Sequence, residues 1–202
     1  MPKKTKKYNI ICADPPWSYN DKASAGKRGA AYQYDLMTQK DIQALPVQSI
    51  AHENCVCLMW ATAPLMDECI ATMRAWGFEY KTFAYVWVKT NKVRTDTFFI
   101  GMGNKTRSNA EFVLLGIKGR VDRIDKGMSQ IIETFMETAD TQVIRARVRK
   151  NSQKPNVFYT KVEKLFGDIP RCELFARETR EGWDVFGNEI DGKDIRDALL
   201  GK

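Results

Sequence analysis

Ile10-Ile11-Cys12-Ala13-Asp14-Pro15-Pro16-Trp17 is the stretch whose reading decides the fold. The apolar run reads as a buried strand, and the residues after it suit neither strand nor helix. Two consecutive prolines remove two backbone donors and fix φ at both positions. Asp14 therefore stands where the strand stops, its carboxylate projecting from the sheet end, where open α/β sheets bind ligands. Trp17 supplies a large flat surface beside that acceptor. An acid, exposed backbone carbonyls and an aromatic plate together suit a planar heterocycle bearing an exocyclic amine. A lone Asp-Pro turn with a core Trp is the ordinary alternative, but the full tetrad after an apolar strand is much more specific.

Composition sets the bounds around this stretch. The 202 residues suit one domain with one core, read as a basic N-terminal arm over 1–7 followed by a domain over 8–202. No apolar run approaches a membrane span and the N-terminus lacks a secretory apolar segment, so a cytoplasmic protein with no membrane partner is expected. Cysteines at 12, 55, 57, 69 and 172 form no Cys-x-x-Cys pair and read as reduced, buried thiols. His52 is the single histidine, which argues against His-based metal sites and Ser-His-Asp triads; no metal is expected. The net charge of +7 fits a polyanion partner, although many basic proteins bind no nucleic acid.

Downstream of Trp17, residues 18–31 are small, polar and basic without period, which predicts a loop. Its Lys22, Lys27 and Arg28 suit phosphates or plain solvent equally well. Thr38 with Asp41 three residues on is a near-match to a capping box, opening a short helix that ends before Pro46. Cys55 to Thr62 reads as a strand covered on both faces. Pro64 then opens a helix with Leu65, Cys69, Met73 and Trp76 on one face and Gly77 as its stop. Phe83 to Val88 is a further strand, completing a βαβ unit.

Residues 91–108 form an aperiodic polar loop, and Phe112 to Ile117 is another apolar strand with Glu111 at its entry. A buried carboxylate must pair or line a cavity, and Arg107 is the near candidate for a pairing. Residues 127–139 read as a helix. Arg145, Arg147 and Arg149 alternate with apolar residues on a strand, either tracking phosphates or solubilising a sheet edge. Lys154-Pro155 opens a helix with Phe158, Val162 and Leu165 inward and Gly167 as its stop; its start attracts anions. Arg171 to Arg177 and Trp183 to Glu189 make the last unit, in which Gly187-Asn188-Glu189 on its own reads as a turn.

Taken together, Asp14-Pro15-Pro16-Trp17 resembles motif IV of S-adenosylmethionine-dependent amino-methyltransferases. In this form it is similar to the MT-A family, named for the seventy-kilodalton subunit of the eukaryotic mRNA N6-adenosine methyltransferase. The likeness continues through Ala75-Trp76-Gly77-Phe78, Trp87-Val88-Lys89-Thr90-Asn91, Ser152-Gln153-Lys154-Pro155, and Glu173-Leu174-Phe175 with Trp183 and Gly187-Asn188 beyond. It is closest in form to short bacterial and phage members. The resemblance implies a Rossmann-like α/β methyltransferase fold: a central, mostly parallel sheet, helices on both faces, and the catalytic motif N-terminal to the cofactor motif.

The resemblance also implies roles. Asp14, Pro15, Pro16 and Trp17 form the catalytic motif, with Lys154, Arg177, Asn188 and Glu189 holding S-adenosylmethionine. Tyr34, Tyr19 and Glu111 border the target base, with Arg107 beside them. For Tyr34 a core position competes with that role. The implied reaction is methylation of adenine N6 in DNA, with RNA or a catalytically silent nucleic-acid-binding subunit as alternatives and a homodimer left open. Two departures stand out. Thr179 and Arg180 occupy the region of a His-Asn pair in eukaryotic relatives, and only thirteen residues precede Asp14 where relatives carry a cofactor-adenine segment.

Overall fold

A computed structural model describes residues 6–18, 37–90, 97–98, 105–125, 143–147 and 154–201, of which 143–147 are described by backbone alone. Tyr19, Tyr34, Lys22, Lys27, Arg28, Arg149 and the helix expected over 127–139 lie outside the described residues.

Among the described residues seven strands form one sheet: β1 (Tyr8–Ala13), β2 (Ala51–Ala61), β3 (Glu79–Thr90), β4 (Ala110–Lys118), β5 (Val143–Arg147), β6 (Arg171–Leu174) and β7 (Asp184–Phe186). Their order is β5-β3-β4-β2-β1-β6-β7. The pairs β1–β2, β1–β6, β6–β7 and β3–β5 are parallel, whereas β4 is antiparallel to both β2 and β3. One reversed strand therefore sits inside an otherwise parallel sheet. The strand bearing the Asp-Pro-Pro-Trp end is central, and β6 and β7 lie beside it although they come last in the chain. The mostly parallel sheet and its motif order are as the sequence implies.

β1 shows why both faces must be covered. Ile11 and Ala13 belong to one buried cluster, Ile10 and Cys12 to the other. A strand buried on both sides has no polar alternation. On one face pack α1 (Gln39–Gln43), α2 (Met66–Ala75) and α5 (Ile195–Leu199), through Ile42, Cys69, Met73, Ile195 and Leu199. On the other, α3 (Asn156–Phe166) buries Phe158, Tyr159, Val162 and Phe166 against Trp60, Tyr85 and Trp87. All five cysteines are free and buried. Among the described residues no helix is long and apolar enough to cross a membrane.

The helix ends follow their local signals. Thr38 caps α1, its hydroxyl oxygen accepting from the Asp41 N–H at 3.2 Å. Gly77, at φ +85°, ends α2 in the left-handed region. There the Gly77 N–H donates to Arg74 and the Phe78 N–H to Met73, the paired bonds of a Schellman stop. The βαβ unit differs from the sequence expectation in one respect. β2 and β3 are parallel but not neighbours, because β4 returns from β3 and inserts between them. Gly116 of β4 makes room for this, since a Cβ there would lie 2.5 Å from the Met73 sulfur of α2. β5 is an edge strand.

Glu173 of β6 is a buried carboxyl that accepts a hydrogen bond from the Tyr159 hydroxyl at 2.6 Å. Burial lifts it from the ordinary 4.5 to about 7, against the opposing pull of Tyr159 and Arg180. Between those values the folded chain holds a proton that the unfolded chain has lost, so this group's contribution to stability falls as pH rises. Glu173→Gln is therefore expected to be more stable relative to the parent at pH 8 than at pH 5, by about 1–3 kcal/mol in urea denaturation. Equal differences at both pH values would refute this account of Glu173.

Candidate active site

The carboxyl ends of the parallel strands meet at one edge of the sheet, and a cleft opens there. Its walls come from Asp14, Pro15, Pro16 and Trp17 after β1; Trp60, Ala61 and Thr62 at the end of β2; Glu111 at the start of the reversed β4; Lys154 ahead of α3; and Arg177 after β6. Reversal of β4 brings its beginning, rather than its end, to this edge.

The turn after β1 is fixed by a small set of bonds. The Asp14 N–H points to the Leu174 carbonyl at 3.4 Å, and the Trp17 N–H donates back to the Pro15 carbonyl at 2.8 Å. That two-residue span is a γ-turn centred on Pro16. The Pro16 carbonyl accepts from the Met37 N–H at 3.2 Å. The Trp17 indole N–H donates to the Trp60 carbonyl at 3.2 Å, and the side chain is 6% exposed. Trp17 is thus a clamped cleft wall more than an exposed plate. The Pro15 oxygen, already accepting once, keeps a second lone pair.

Charge is concentrated beside this turn. Lys154 Nζ lies 3.1 Å from Asp14 Oδ2, 2.8 Å from Glu111 Oε2 and 4.8 Å above the Trp60 ring. Glu111 Oε1 meets Lys89 Nζ at 2.5 Å. Burial pushes the Asp14 carboxyl above the usual carboxylate range, with Lys154 pulling it back and Glu111 adding to the rise. Glu111 is buried too, but Lys154 and Lys89 hold it down to about 2. Burial disfavours the Lys154 ammonium, yet Asp14 and Glu111 keep it above the ordinary lysine range.

The residues singled out in the sequence separate clearly. Asp14, Pro15, Pro16, Trp17, Glu111, Lys154 and Arg177 share the cleft. Glu189 is beside it, its Oε1 3.5 Å from Arg177 Nε, and Asn188 precedes it at the start of α4 (Asn188–Asp191). Arg107 is exposed and is not among the residues that line the cleft, and among the described residues the ion pairs of Glu111 are with Lys89 and Lys154. Arg180 also turns elsewhere, its guanidinium 3.5 Å over the Tyr159 ring of α3. Trp60, Thr62 and Lys89 were missed. Only Lys89 had a signal: a buried acid entering one strand calls for a cation, and Lys89 closes the neighbouring antiparallel strand, where Trp87 pairs with Glu111.

A mostly parallel sheet in which an interior strand runs into Asp-Pro-Pro-Trp, with a cationic and acceptor-bearing edge on the next strands, defines an S-adenosylmethionine-dependent methyltransferase of Rossmann-like fold. More particularly, the MT-A70 family model matches residues 8–189, and the chain belongs to that family. It is 32% identical to the Type II methyltransferase M.MunI of Mycoplasma sp, over 98% of this chain and 84% of that protein. It is 27% identical to the N(6)-adenosine-methyltransferase MT-A70-like protein of Drosophila melanogaster, over 96% of this chain and 29% of that one. Against the N(6)-adenosine-methyltransferase catalytic subunit METTL3 of Homo sapiens the figures are 25%, 95% and 30%. The chain thus spans less than a third of those two animal relatives but most of M.MunI.

Gly187 explains why Asn188 and Glu189 stay close to Arg177. A Cβ at Gly187 would lie 2.2 Å from the Ala176 carbonyl oxygen and 2.8 Å from its nitrogen, backbone atoms that cannot swing aside. Gly187→Ala should therefore push the start of α4 from the cleft. Calorimetry with S-adenosylmethionine is expected to show affinity weakened about tenfold or more, alongside a loss of about 1–3 kcal/mol in stability. Unchanged affinity would show that this approach does not shape the cofactor site.

Proposed function

We propose that this chain, as one cytoplasmic domain, transfers the methyl group of S-adenosylmethionine to N6 of adenine in DNA. The observation that carries the reading is Asp14, held by a rigid two-proline turn in a cleft at the carboxyl edge of the sheet. The exocyclic amine of adenine is a poor nucleophile because its lone pair is delocalised into the ring. Asp14 and the Pro15 carbonyl accept hydrogen bonds from its two N–H groups, making the nitrogen more sp³-like and turning its lone pair toward the methyl donor; one of the two protons leaves after the methyl group has been transferred. Catalysis is then positioning and electrostatics, with no covalent enzyme intermediate. Trp17 and Trp60 wall the slot into which the base turns out of its stack.

Arg177, Asn188 and Glu189 sit at the ends of β6 and β7, where acceptors suit the ribose diol of the cofactor. Lys154 offers a cation to its amino-acid carboxylate. S-adenosylmethionine supplies the electrophilic methyl group. The match over most of a Type II methyltransferase of similar length supports DNA, and the N(6)-adenosine-methyltransferase relatives support both the N6 position and RNA as the second reading. An intact Asp-Pro-Pro-Trp lining a cleft argues against a catalytically silent subunit.

Incubation with labelled cofactor and duplex DNA, single-stranded DNA or RNA, followed by nucleoside digestion and mass spectrometry, decides the substrate. N6-methyldeoxyadenosine is the expected product; N6-methyladenosine alone would move the assignment to RNA. Asp14→Ala is expected to abolish transfer, about 10³-fold or more, while remaining folded and binding the cofactor. Parent-like turnover in that variant removes the mechanism.

A further inference from the structure

Four charges of alternating sign form a chain, three of them (Asp14, Lys154 and Glu111) on the cleft wall and Lys89 behind Glu111. Lys89 Nζ donates to Glu111 Oε1, Lys154 Nζ donates to Glu111 Oε2, and Lys154 Nζ also reaches Asp14 Oδ2, at 2.5, 2.8 and 3.1 Å. They come from four segments: the end of β3, the start of β4, the residue before Pro155, and the end of β1. Their side chains are only 21%, 18%, 9% and 20% exposed, in the order Lys89, Glu111, Lys154, Asp14. Glu111 gives one oxygen to each lysine. A carboxylate with both oxygens free can take one ammonium on both at once. Here Lys89 occupies one of them, which leaves Lys154 shared between Glu111 and Asp14.

We propose that Lys89 is a positioning residue for the reaction: by occupying Glu111 Oε1 it keeps Lys154 on Asp14, and Lys154 keeps Asp14 a carboxylate able to accept amine hydrogens. The inference rests on the reading of Asp14 as the amine acceptor. The charged groups that face Asp14 are Lys154 from the approach to α3, Glu111 from β4 and Arg177 from the segment after β6. Glu173 of β6 feels its charge from the α3 side. Burial favours the neutral acid at Asp14, and among its neighbours Lys154 opposes this most. A neutral carboxyl presents a proton where the amine needs an acceptor. Lys89 makes its ion pair with Glu111, so its influence on Asp14 passes through Glu111 and Lys154.

The test is a carbon-13 titration of the side-chain carboxyls in aspartate-labelled, cofactor-free protein, with Asp14→Asn assigning the signal. Lys89→Met should raise the Asp14 midpoint by about one unit or more, and Lys89→Arg should restore it. Glu111→Gln, which removes a like charge and leaves Lys154 to Asp14, should lower it. Alongside, the acid limb of kcat on adenine-containing DNA should move in the same directions. A purely structural role for Lys89 would lower Tm and scale kcat equally at every pH. Asp14 midpoints that stay in place overturn the proposal, and Glu111→Gln provides the reading if Lys89→Met does not fold. Midpoints that move as stated, in a protein that methylates no nucleic acid, would instead sink the amine-acceptor reading and leave the charge relay standing.

Discussion

An ammonium shared by two carboxylates at the end of the central strand is the interaction on which the cleft depends. Lys154, 9% exposed, touches both Asp14 and Glu111. A charge taken that far from water costs several kcal/mol unless partners replace its hydration. Here the partners are themselves shielded, so each charge is tolerable only because the others are present. Lys89 makes the set neutral, two cations against two anions. The result is a polar wall that stands ready in a cleft whose other side is tryptophan and proline.

Such a wall can exist because of where strands end. In a parallel sheet the carboxyl ends gather along one edge, and the residues after them cannot be paired into the ladder. β1 ends in two prolines, which lack donors, so its chain leaves the sheet at once. The γ-turn and the Trp17–Trp60 bond then fix the exit geometry. Rigidity of this kind holds Asp14 without help from a ligand, the condition for electrostatic preorganisation.

The reversed strand has a chemical consequence. Were β4 parallel, Glu111 would open at the far edge of the sheet, away from Asp14. Because β4 returns antiparallel between β2 and β3, its first residues meet the last residues of both neighbours. Glu111 therefore faces Lys89 across a strand pair and Lys154 across the cleft. Gly116, where a side chain would strike Met73, allows α2 to lie against the inserted strand.

Much of this was legible in the chain. Apolar runs named the cores of β1 to β4 and alternation that of β5, Thr38, Gly77 and Gly167 marked helix ends, and Asp-Pro-Pro-Trp marked the cleft, because these are local effects of backbone donors, φ values and apolar period; β6 was legible only through the family's Glu-Leu-Phe. Membership of the family followed from motifs, which are local as well. What tertiary structure alone decided was which charges meet. Glu111 was read as a candidate partner of Arg107, four residues away, yet its cations come from positions 89 and 154. Sequence separation carries no information about a pairing made by strand order, and the position of β4 within the sheet is set by packing of helices on both faces. Residues that terminate strands can be read from the chain itself; the company they keep at the sheet edge depends on where every other strand lies.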